Sequence, residues 1–195
     1  MYNRISFKSN INFVRLENFP KRGVYIDYLD EDQIISDEFF TTDVATCTAG
    51  GCIIPKKRAF GFHFLDDKKI VFPEDIIHHD NERGIIIGAK DLKDQPYSIP
   101  NFDATKQYMQ KRVENLSIFK QHKYKYAHSD FHYSLDTDTW SINTRYRKYW
   151  KICEVKSLKN LLDAFKFVKI AKGDKLFFEG KEVLPEDFPA IFECV

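Results

Sequence analysis

Apolar and polar positions alternate with a period of two over much of this chain, the pattern of half-buried strands. Ile11 to Leu16 and Val24 to Leu29 read as short strands separated by the turn signal Pro20–Lys21–Arg22–Gly23. Asp30 to Phe40 is acidic, ends in two Phe, and reads as a helix turn or a loop over the core. Cys52–Ile54 and Ala59–Leu65 predict an antiparallel hairpin in which Phe60, Phe62 and Phe64 share one face and Gly61, His63 and Leu65 the other. Gly84 to Gly88 predicts a buried strand. Asp103 to Lys123 carries apolar residues at near-helical spacing (Tyr108, Met109, Val113, Leu116), with Asp103 as its cap. Aromatic alternation returns from Tyr124 to Trp150. Ser157 caps a second helix with Leu158, Leu161, Leu162 and Phe165 inward, and a last hairpin spans Lys175–Phe178 and Glu182–Leu184. The expectation is one α+β domain over residues 1–195: a mixed, mostly antiparallel sheet covered by two main helices.

Composition sharpens this picture. The chain has 195 residues, enough for one ordinary core, and 18 Phe with 10 Tyr and 2 Trp favour a ring-rich, sheet-based interior. Charge is balanced at 30 Lys+Arg against 29 Asp+Glu, so no global field argues for nucleic acid or a membrane as partner. Locally it is uneven. Gly23 to Pro55 holds seven acids and no Lys or Arg, whereas Lys120 to Lys151 holds seven Lys and Arg against three Asp. No stretch has the length or apolarity of a signal peptide or a membrane span, so a soluble cytoplasmic protein is expected, secretion by another route remaining open.

The four cysteines, Cys47, Cys52, Cys153 and Cys194, have neither CxxC nor zinc spacing and are expected as thiols in a reducing compartment. His78–His79–Asp80 and the spread of His122, His128, Asp130 and His132 match no zinc spacing, so neither a metal nor a cofactor is expected.

The chemistry concentrates in TTDVATCTAGGCIIPKKRAFGFHFLDD. Cys47 stands at a turn just before Gly50–Gly51, whose freedom allows backbone N–H groups to converge as an oxyanion site requires. His63 follows on the adjacent strand of the hairpin, where a nucleophilic thiol needs its base. The second imidazole nitrogen needs an orienting partner, for which Thr41, Thr42 or a backbone carbonyl are the candidates. The acidic surroundings oppose thiolate formation and favour imidazolium.

This block resembles the active-site region of the cysteine amidohydrolase superfamily that includes the chemoreceptor glutamine deamidases, the catalytic domain of cytotoxic necrotizing factor and the protein N-terminal asparagine amidohydrolases. The likeness rests on Thr41, Cys47 and His63 and their spacing, over about residues 41 to 67. Ala45–Thr46 and Thr48–Ala49–Gly50–Gly51 depart from the family pattern. The resemblance implies a β-sandwich with helices outside, in α/β/β/α-like layers. It implies that Cys47 is the nucleophile, His63 the acid–base group and Thr41 its orienting partner, with the backbone N–H groups of Cys47 and Thr48 as oxyanion donors. The implied reaction is deamidation of a glutamine side chain, or of an N-terminal asparagine, on a protein substrate through a thioester. A rival reading from another class is a non-enzymatic module that binds protein or nucleic acid through the basic aromatic segment 120–151. The alternation is better explained by rings inward and Lys outward, which weighs against nucleic acid.

Overall fold

A computed structural model describes residues 9–30, 32–54, 58–65, 81–88, 96–121 and 127–192. It contains two sheets and two α-helices, a sheet-dominated α+β fold as expected. The strands are β1 (Asn10–Phe13), β2 (Val24–Tyr25), β3 (Gln33–Ser36), β4 (Glu38–Val44), β5 (Thr48–Ile54), β6 (Arg58–Phe64) and β7 (Asn81–Gly88). Helix α1 (Ser98–Gln110) precedes β8 (Val113–Gln121), β9 (His128–Ser134), β10 (Thr139–Lys148) and β11 (Lys151–Glu154). Helix α2 (Leu158–Ala164) precedes β12 (Phe165–Lys169), β13 (Lys175–Phe178) and β14 (Lys181–Val183).

One sheet runs β14-β13-β1-β10-β9-β4-β2, with β11 also paired to β10; the other runs β12-β8-β7-β5-β6-β3. Most pairings are antiparallel, but β1 is parallel to both β10 and β13, β2 to β4, and β7 to β8. The inner faces share one apolar cluster, with Phe13, Phe39, Phe131, Tyr133 and Trp140 from the first sheet and Ala49, Ala59, Ile85, Ile87 and Phe119 from the second. Helix α2 adds Leu161 and Ala164 to that cluster. A second cluster, of Phe60, Phe62, Phe64, Ile86, Phe102 and Met109, lies between the second sheet and α1. The period of two in AFGFHFL therefore separates two real layers. Gly61 makes the inner layer possible: a Cβ there would come within 2.5 Å of the Phe39 ring.

Three expectations are corrected. Asp30 to Phe40 is not a helix turn or a loop; it holds β3 and the start of β4. The helix expected over Asp103 to Lys123 begins at Ser98, ends at Gln110, and gives way to β8, so Asp103 is not its cap. Leu162 faces outward at 41% exposure, while Leu161 is buried. The Ser157 cap is present, its Oγ accepting from Asn160 N–H at 3.4 Å, and the hairpins β5–β6 and β13–β14 form where expected. The expectations for His78–His79–Asp80, Tyr124–Tyr126, His122 and Cys194 lie outside the described residues.

Candidate functional site

The chain crosses from the first sheet to the second between Val44 and Thr48, and Cys47 sits in that crossing. Strand β4 ends through a register shift against β9 between Thr41 and Val44, with Asp43 at φ 58°. Asp43 N–H donates to Asp130 Oδ1 at 3.0 Å, and Arg145 Nη2 lies 3.1 Å from Asp130 Oδ2 and 3.5 Å from Asp43 Oδ1. The acid four residues before the cysteine thus belongs to a clamp that bends the strand.

Thr41 and His63 are both fully buried, on facing strands of the two sheets. Thr41 Oγ1 lies 2.6 Å from His63 Nδ1 and donates to the Ile26 carbonyl at 3.0 Å. A hydroxyl has one proton. With that proton on Ile26 O, Thr41 accepts from His63 Nδ1–H, and the imidazole lone pair is left on Nε2. That nitrogen is buried and has no hydrogen-bond partner. Burial pushes the His63 pKa down to about 4, against the opposing pull of Asp43 and Asp27. The imidazole is therefore neutral near pH 7. This corrects the expectation that the surrounding acids favour imidazolium: desolvation outweighs them.

Register places the thiol. Ala49 pairs with His63 across β5–β6, so the two share the inner face. Cys47 lies two residues before Ala49, joins the same inner cluster and is 7% exposed. Cys47 is one residue before the first ladder pair, Thr48 with Phe64, and His63 is one residue before the end of its strand, so both lie at the same end of the β5–β6 hairpin. Sulfur and imidazole thus belong to one layer, without a hydrogen bond between Sγ and Nε2. Thr48 stands opposite both Phe64 and Gly88, so its N–H lies in the plane of the sheet, whereas Cys47 lies one residue outside the ladders.

Three contacts that sequence reasoning missed fix the crossing. Ser98 Oγ donates to the Thr46 carbonyl at 2.6 Å, Gln121 Nε2 donates to the Val44 carbonyl at 3.1 Å, and Gly88 packs on the Cys47 carbonyl. Gly88 has φ 140°, and a Cβ there would lie 2.3 Å from Cys47 O. Asn101 Nδ2 donates to Leu65 O at 3.2 Å, so the first turn of α1 ties both the cysteine bend and the end of the histidine strand. The signal for Gly88 was its place at the end of GIIIG; nothing comparable marked Ser98 or Gln121. Tyr28, only partly buried, contacts the imidazole at a ring separation of 4.9 Å.

The other cysteines have different surroundings. Cys52 is fully buried in the cluster under α1, and burial pushes its thiol up to about 12, which makes it inert. Cys47 and Cys52 face different layers and form no disulfide. His132 is engaged by Glu38 at 3.1 Å and Asp130 by Arg145, and among the described residues no three metal-ligating side chains cluster. No helix among them is long and apolar enough to cross a membrane.

No protein-family model matches this chain, and no curated protein matches it.

Proposed function

We infer that this chain is a cysteine-dependent amidohydrolase that deamidates a glutamine side chain, or an N-terminal asparagine, of a protein substrate. One observation carries the reading: Thr41 Oγ1 engages His63 Nδ1, and the other imidazole nitrogen, Nε2, is buried and unpartnered in the layer that also contains Cys47. A buried nitrogen without a partner costs about 1–3 kcal/mol, and His132 Nδ1 is a second such atom; what sets His63 apart is that its nitrogen shares a layer with a cysteine. A general base needs such a nitrogen.

The neutral imidazole sets the order of events. Cys47 Sγ–H gives its proton to Nε2 as sulfur attacks the carboxamide carbon, rather than waiting as a preformed ion pair. The N–H groups of Cys47 and Thr48 are the oxyanion donors in this reading, Thr48 lying in the ladders of β5 and Cys47 one residue before them. His63 returns the proton to the departing nitrogen, releasing ammonia and leaving a thioester. Water then gives a proton to Nε2, adds to the thioester carbon and displaces the thiolate, which recovers its proton from His63. The product is a carboxylate. Both side chains lie beneath the surface, so a carboxamide reaches them only when cover is displaced, and Tyr28 is the partly exposed ring against His63. A reducing compartment such as a cytosol would keep the thiol available for this chemistry.

Ammonia release from a panel of glutaminyl and N-terminal asparaginyl peptides tests the reading. Release is expected from wild type, with hydroxylamine diverting the thioester to a hydroxamate, and is abolished in Cys47→Ala and His63→Ala. Failure of every peptide and every added protein to yield ammonia, with folded enzyme, would refute it. The non-enzymatic alternative draws its support from a separate region, the exposed rings at the end of β10.

A further inference from the structure

Strands β10 and β11 form a hairpin whose loop is two residues long, Tyr149–Trp150, closed by the pair Lys148 and Lys151. Loops of this length favour Asn-Gly or Asp-Gly, because central residues must adopt positive φ. Here a bulky aromatic takes that conformation: Tyr149 has φ 56°. Turn stability does not explain the choice of residues, and core packing does not either. Tyr149 is 85% exposed, Trp150 88% and Ile152 77%. The expectation of rings inward holds at Trp140 and Tyr146 and fails at this loop.

The two faces of the ribbon differ. On one, Tyr146 is buried and accepts from Asn160, and Lys148 is bound by Asp163 at 2.8 Å. On the other, Arg147 stands opposite Ile152, and its guanidinium lies 6.0 Å from the Trp150 ring. The last described β9–β10 pair is His128 with Arg145, and among the described residues β11 pairs only with β10. Arg145 to Lys159 carries six Lys and Arg against one acid, Glu154. Glu154 is itself used internally, accepting from Leu16 N–H and Asn143 Nδ2.

We propose that the outer face of this hairpin, built on Arg147, Tyr149, Trp150 and Ile152, docks an acidic segment of a partner protein. Trp, Tyr and Arg are the residues that most often carry binding energy at protein interfaces, and here all three fall within four positions at the end of the ribbon. The exposed Lys151, Lys156 and Lys159 of this segment, rather than the engaged Arg145 and Lys148, supply the positive charge that selects an acidic partner and speeds its approach. A nucleic acid needs a track of cations facing its phosphates, whereas Lys148 and Arg145 are bound to Asp163 and Asp130. The surface is independent of the chemistry proposed for Cys47.

Anisotropy titration of a fluorescein-labelled random copolymer of glutamate and tyrosine tests the assignment. Saturable binding is expected, weakened by salt, and about tenfold weaker in the double variant Tyr149→Ser/Trp150→Ser. That variant should keep the wild-type thermal midpoint, because both side chains lie in solvent. Cys47→Ala should bind as wild type does, which keeps this result separate from the amidohydrolase reading. Absence of binding, equal affinity in the double variant, or tighter binding to labelled oligo-dT or to phosphatidylserine vesicles would each overturn the proposal.

Discussion

Thr41 Oγ1 and His63 Nδ1 lie 2.6 Å apart although 22 residues separate them in the chain and they belong to different sheets. This contact joins the two layers at the point where the chain crosses between them. With the Thr41 proton on Ile26 O, the imidazole proton is on Nδ1. Replacing Thr41 by Val leaves a buried Nδ1–H without an acceptor, at a cost of about 1–3 kcal/mol in stability. Thr41→Ser keeps the hydroxyl and should recover most of it. Urea denaturation of the two variants checks the difference, and equal stability of Val and Ser would show that the bond has no weight.

The depressed pKa of His63 predicts a pH dependence. Between about 4 and 6.5 the unfolded chain takes up a proton that the folded protein refuses, so acid favours unfolding. The contribution is complete above pH 6.5 and is lost as pH falls toward 4. Its full size is about 3 kcal/mol. In His63→Gln the stability lost across this window should shrink by up to that amount. Denaturation midpoints measured from pH 4.5 to 7 decide it, and parallel profiles for wild type and variant would contradict a buried, neutral His63.

Gly88 carries no chemistry, yet the cysteine bend depends on it. An alanine there meets the Cys47 carbonyl at 2.3 Å and must also hold φ 140°. Gly88→Ala should destabilise the fold by about 1–3 kcal/mol and displace Cys47 relative to His63. A variant of unchanged midpoint would mean that β7 yields freely at its end.

Tyr28 covers part of the imidazole without belonging to the core. Tyr28→Ala should open the layer and speed alkylation of Cys47 severalfold, leaving Cys52 untouched. An unchanged rate would place the route to the thiol elsewhere.

The face on which His63 lies was more legible in sequence than the boundaries of the elements around it. AFGFHFL alternates strictly because β6 has different clusters on its two faces, so the side on which His63 lies could be read directly. The choice between Thr41 and Thr42 could not. It depends on the register of β4, in which Phe39 and Thr41 are buried inward while Thr42 is only partly buried. The missed boundary between α1 and β8 has a physical cause. Strand β8 buries Leu116, Ser117, Ile118 and Phe119 in succession, so it lacks a period of two, and its Val113 and Leu116 continue the spacing of Tyr108 and Met109 by coincidence. The start of α1 was hidden as well, since its N-cap, Tyr97, supplies no side-chain cap. Ser98 spends its hydroxyl on Thr46 instead.

The central claim is that Cys47 and His63 act as a pair, and 2-chloroacetamide, an electrophile with the shape of a carboxamide, tests it most directly. Native protein is treated near pH 7 and each cysteine is followed by mass spectrometry. Cys47 should be alkylated well ahead of the sealed Cys52, and His63→Ala should slow it by about tenfold or more. Alkylation of Cys47 no faster than Cys52, or at the same rate with and without His63, would contradict the account.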